Sequence, residues 1–192
     1  VKVGPDGEIA ITDSQYYRVL LFESLASATD PDAMPTIIGQ PAMDANGQNQ
    51  FRWFPEANTL NWCYDAIFYQ GGIYVADTGN SRVLRFDTLP QQHNQPADSL
   101  LGQATFTLGI ENRNSIKASP NSLYWPFHLA IDNGILAIAD TGNHRVVLEA
   151  DASRFARIGG GAPPVRIEQG FLEIFHGVWQ HGPRDRIGTY CA

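Results

Sequence analysis

Charge is scarce in this chain of 192 residues. Asp, Glu, Lys and Arg together make up 17%, against the ~25% usual in globular proteins. The 13 basic residues form no run and the net charge is −7, so the electrostatic footprint of a nucleic-acid binder is missing. No apolar stretch approaches the ~20 residues of a membrane span, and neither nucleic acid nor membrane is an expected partner. Two cysteines, Cys63 and Cys191, are too few for a disulfide scaffold, and the sequence does not say whether they pair. No signal peptide is visible, and a chain that starts at Val1 without methionine leaves its compartment open. What the chain does have is 18 Gly, 12 Pro, four Trp, seven Tyr and ten Phe, with 43% apolar residues. That composition excludes a coiled coil and a disordered segment.

The apolar residues are organised by an internal repeat. Ile9 to Asp13 runs on to Arg18, Val19 and Leu20. Ile73 to Asp77, then Thr78, Gly79 and Asn80, runs on to Arg82, Val83 and Leu84. Leu136 to Asp140, then Thr141, Gly142 and Asn143, runs on to Arg145, Val146 and Val147. The Asp positions 13, 77 and 140 lie 64 and 63 apart, as do the Arg positions 18, 82 and 145. A Gly precedes each Asp by six (Gly7, Gly71, Gly134), and Trp62 and Trp125 each precede theirs by 15. Ile38-Gly39-Gln40 and Leu101-Gly102-Gln103 keep the same register.

In the middle unit, Ala66–Tyr69, Ile73–Ala76, Val83–Phe86 and Ser99–Leu101 read as strands, with Thr105–Thr107 as an extension of the last. Gly71-Gly72 and Asp77–Ser81 read as turns. Four short antiparallel strands per unit, repeated, predict an all-β protein of β-propeller type. In the Asp-Thr-Gly-Asn turn, Asp is expected to accept backbone N–H bonds, and Gly and Asn to supply positive φ. The Arg five residues on is expected to pair with Asp across the turn. Presence in every unit marks Asp13, Arg18, Asp77, Asn80, Arg82, Asp140, Asn143 and Arg145 as structural, since a catalytic site needs its residues once.

The Asp-Thr-Gly-Asn-x-Arg-Val runs at 77–83 and 140–146 resemble NHL repeats, over roughly residues 1–148. The resemblance implies a propeller that binds protein, RNA or small ligands. The first unit departs from it, with Gln15 and Tyr16 where Gly79 and Asn80 stand. The third breaks at Glu149, which replaces Phe22 and Phe86. From 151 to 192 the pattern changes, and Arg157–Val165 with Gly170–Val178 resembles the end of the mannoside phosphorylase family of glycoside hydrolases. That resemblance implies that His176 lies near a phosphate or sugar site. It supplies no general acid and no nucleophile, so no phosphorylase activity is expected.

The chain therefore reads as about three NHL-like blades in residues 1–150 and a divergent partial blade in 151–192. Such a ring is incomplete or closes by self-association, and Phe171–Phe175 is expected to pair with the first blade. The expected function is a non-catalytic scaffold that binds a protein or small ligand through loops on one face. The long loops Pro41–Gln50 and Gly109–Asn121 are the favoured contacts. The alternatives are a carbohydrate-active enzyme fragment and a metal-dependent lactonase- or lyase-like propeller. Candidate ligand-binding residues are His176, His128, Asp65, Trp62 and Trp125. His128 and Asp65 share one register position, three residues after each Trp. No residue is assigned as catalytic or as a metal ligand, no cofactor is expected, and protein or carbohydrate is the expected partner.

Overall fold

The computed structural model describes residues 1–150, 165–167 and 170–172. Its regular structure is mostly β. The first unit forms a four-stranded sheet from β1 (Lys2–Val3), β2 (Ile9–Asp13), β3 (Arg18–Phe22) and β4 (Thr36–Ile38), in sequence order. The second does the same with β5 (Cys63–Tyr69), β6 (Gly72–Asp77), β7 (Arg82–Phe86) and β8 (Ser99–Leu101). The third contributes β9 (Pro126–Asp132), β10 (Ile135–Asp140) and β11 (Arg145–Ala150). All neighbours are antiparallel, and Asp13 faces Arg18, Asp77 faces Arg82 and Asp140 faces Arg145 at the ends of their hairpins. Strands β12 (Val165–Ile167) and β13 (Gly170–Leu172) form a separate hairpin.

The sheets stack. Ala10, Val19, Leu21 and Ile38 of the first share a core with Ala66, Ile73, Val75 and Leu84 of the second. Tyr74, Ala76 and Val83, on the other face of the second sheet, share a core with Leu129, Leu136 and Ile138 of the third. Alternate side chains of a strand point to opposite faces, so β6 is buried at every residue because both faces are covered. One short α-helix, α1 (Leu25–Thr29), sits between β3 and β4. Ser24 and Ser27 cap its start reciprocally.

Each sheet has two ends. Gly7, Gly71 and Gly134, all at positive φ, turn the chain at one. The Asp–Arg corners and the long loops 39–62 and 102–125 occupy the other. Two expectations are corrected. Thr105–Thr107 is a turn, because the chain bends over the second corner, where Arg82 Nη1 donates to the Phe106 carbonyl at 2.6 Å. Gly170–Leu172 pairs with Val165–Ile167, where pairing with the first sheet was expected. The boundary at 150/151, residues 173–175, His176 and Cys191 lie outside the described residues.

Candidate binding site on the inner strands

The repeated residues build corners. At the second, Arg82 and Asp77 have fully buried side chains joined at 2.6 Å. Arg82 also donates to the Glu56 and Thr59 carbonyls at 2.9 and 3.0 Å. Arg145 pairs with Asp140 at 2.7 Å and donates to the Ser119 and Ser122 carbonyls. Each Arg thus ties its corner to the loop arriving from the preceding unit. Asn side chains interlock the two. Asn49 and Asn80 exchange amide hydrogen bonds at 3.1 and 2.8 Å, and Asn112 and Asn143 at 2.8 and 2.9 Å. Burial pushes the Asp77 carboxyl upward, opposed by the Arg82 charge and by donors from Asn80 and Asn61.

The Asp–Arg pairing is as the sequence predicts, but two parts of the motif work differently. Asp77 Oδ1 accepts from Asn61 N–H of the arriving loop and Asp140 Oδ1 from Tyr124 N–H, both at 2.7 Å, so neither of these bonds stays within its own turn. The positive φ belongs to the residue after the Asn position, which Tyr16 fills in the first unit: Tyr17, Ser81 and His144 lie at 52°, 50° and 53°. Gly79 and Gly142 serve close approach. A Cβ on Gly79 meets the Asn61 amide at 2.6 Å, and one on Gly142 meets the Tyr124 ring at 2.5 Å.

The long loops spend much of their polarity inward. Gln40 and Gln103 Nε2 donate to the carbonyls of Gly47 and Ile110, and Asn49 and Asn112 are buried. Three successive residues in each are left-handed: Asn49, Gln50 and Phe51, then Asn112, Arg113 and Asn114. A cavity of about 410 Å³ between the second and third sheets is lined by Leu101, Gln103, Arg113 and Glu149 among others. Its counterpart between the first and second sheets is filled by Phe86 and by the 87–98 connection, where Asn94 N–H donates to the Ile37 carbonyl at 2.8 Å. The matching connection after β11 lies outside the described residues, and no ligand is assigned to the cavity.

The first strands of the three units meet side by side. β5 and β9 each carry a β-bulge near their start, at Tyr64 and Phe127. A bulge re-aims the extra side chain, and here the two rings pack at 4.7 Å. Trp62 stacks on Tyr64 at 6.4 Å with planes 13° apart, and Tyr17 meets Trp62 edge-on at 5.7 Å. Trp62 and Trp125 both hold positive φ, 51° and 52°, a conformation that costs a bulky residue ~1–3 kcal/mol.

Beside this row of rings the same register position supplies Lys2, Asp65 and His128. The Asp65 carboxylate is buried. It accepts from Ala66 N–H at 3.0 Å and Leu129 N–H at 2.9 Å, and Lys2 Nζ lies 3.1 Å from Oδ1 and 3.2 Å from Oδ2. His128 Nδ1 lies 3.8 Å from Oδ2 with its side chain 76% exposed. One carboxylate thereby joins three sheets.

Of the candidate residues, Asp65 and His128 come together, and Trp62 joins the row of rings through Tyr64. Trp125 stands apart with Tyr124, ring centroids 5.0 Å away, and is 44% exposed. His176 lies outside the described residues. Lys2, Tyr64 and Phe127 were missed, although Lys2 precedes Asp65 by 63 and Tyr64 precedes Phe127 by 63. Asp65, with its donors in place, is suited to positioning Lys2 and His128. Cys63, buried beneath, is no nucleophile: burial and then the Asp77 charge push its thiol far up, and Sγ donates to the Arg18 carbonyl at 3.1 Å. Among the described residues no group of three or more His, Cys, Asp or Glu is placed to hold a metal. No family model matches the chain, and no curated protein matches its sequence.

Proposed function

We propose that the stacked sheets are blades of a β-propeller and that the chain is a non-catalytic scaffold with a ligand site on the inner strands. One observation carries the reading: side chains from three successive sheets, Lys2, Asp65 and His128, converge beside the Trp62, Tyr64 and Phe127 rings. Parallel ring faces next to exposed donors suit the apolar face and hydroxyls of a sugar. A ligand there touches three blades at once. The test is calorimetric titration of the chain with soluble oligosaccharides, alone and as Tyr64→Ala and His128→Ala. Both variants should weaken binding about tenfold or more. Wild-type chain that binds no sugar, or variants that bind as wild type does, would sink the ligand site.

A further inference from the structure

The loop end of the sheets carries apolar side chains that touch little. Trp53 is 97% exposed, Phe51 85% and Phe54 69%. Ile116, at the position equivalent to Trp53 one unit later, is 103% exposed. They protrude from loops anchored by the Asn49 and Asn112 hydrogen bonds, at or just after the left-handed residues described above. An apolar tip in water on an anchored loop is a cost, repeated here in two units.

Charge is divided between the two ends. The corner and loop segments, 13–18, 39–62, 77–82, 102–125 and 140–145, hold six acids and six bases. The turn segments at the opposite end, 4–8, 23–35, 69–72, 87–98 and 133–134, together with the strand-end Asp132, hold eight acids and no Lys or Arg. Leu25 and Met34 are exposed there too, but among Glu23, Asp30 and Asp32. The strands between span five to seven residues, roughly 17–23 Å at ~3.3 Å per residue. That is about two Debye lengths at physiological salt.

We infer that the loop end docks on a phospholipid surface, with Phe51, Trp53, Phe54 and Ile116 entering the headgroup–acyl boundary. Side chains exposed to this degree protrude from the surface, which suits a fluid phase better than a preformed cleft. Trp and Phe with an adjacent cation, Arg52 (ion-paired with Glu56) beside Trp53 and Lys117 beside Ile116, match the preference of amphipathic groups for the interface. The neutral loop end meets the surface, and the acidic end is held where salt screens it from anionic lipid. The mode is peripheral and needs no membrane-spanning segment; among the described residues no helix is long and apolar enough to cross a bilayer.

The experiment is co-sedimentation of the chain with vesicles of phosphatidylcholine, alone and mixed with phosphatidylserine. Wild type should partition onto both. The Trp53→Ser/Phe54→Ser/Ile116→Ser variant should lose about tenfold or more with a melting temperature close to wild type, since Trp53 and Ile116 are almost fully exposed and Phe54 largely so. Ile116→Asp alone, on the other loop, should lose binding in the same direction. Binding to the anionic vesicles should rise from ~0.01 M to ~0.15 M salt as the acidic end becomes screened, the reverse of a basic patch. Absence of partitioning onto either vesicle, or variants that partition as wild type does, overturns the proposal. So does self-association of wild type that the triple variant abolishes without any vesicle binding, which assigns the tips to a protein contact.

Discussion

The first and second corners share a backbone and differ in what surrounds them. Both turn through a 3-10 segment, Ser14–Tyr16 or Thr78–Asn80, into a left-handed residue, and both pair Asp with Arg. At the first, the Asp13 side chain is 26% exposed. At the second, Asp77 and Arg82 are closed off beneath loop 39–62. Gly79 and Asn80 stand where loop 39–62 passes overhead: a Cβ on Gly79 would meet Asn61, and Asn80 bonds Asn49. The Gly-Asn of the motif answers to the neighbouring loop rather than to the turn.

The largest expected difference comes from Arg82→Ala, which leaves Asp77 buried without its ion-pair partner. It should cost about 3–5 kcal/mol, against about 1–2 kcal/mol for Arg18→Ala at the more open corner. Urea denaturation of the two variants measures this, and equal losses would break the comparison. Next, Gly79→Ala should cost about 1–3 kcal/mol by overpacking against Asn61. Gln15→Ala should stay within about 0.5 kcal/mol, read from the same curves. A double-mutant cycle on Asn49 and Asn80 should give a coupling of about 1 kcal/mol, and zero coupling would remove the interlock.

A small, pH-dependent effect separates the doubly covered middle sheet from its flanks. Burial raises the Tyr74 hydroxyl from 10.0 to about 12, and the equivalent residues in the flanking sheets are Ala10 and Ala137. A raised folded-state value means that this contribution is complete below pH 10 and fades as pH climbs towards 12. Tyr74→Phe should flatten the alkaline limb of the stability curve by under about 1 kcal/mol at pH 11, checked by urea titration at successive pH values.

The strands of the middle unit were legible because β-rich runs alternate with Gly-bearing turns, and Ser99–Leu101 matches residue for residue. The Asp–Arg pairing was legible from spacing alone. The partner of each Asn was not, since Asn49 and Asn80 are 31 residues apart and meet only when a loop crosses to the next sheet. Asp65 and His128 could be matched by register. Tyr64 and Phe127 could not be aimed, because a bulge moves a side chain without marking the local sequence. Trp53 and Ile116 share a register position but no chemistry beyond being apolar, so their common exposure emerges only in three dimensions.

The clasp of each loop on the following corner has a direction. Residues 39–62 leave the ribosome before Arg82 does, so the second corner finds its lid already made, and 102–125 do the same for the third. A chain assembled this way can lock one module after another as it is synthesised. Of the bonds described for Arg82, only that to the Phe106 carbonyl waits for sequence still to come.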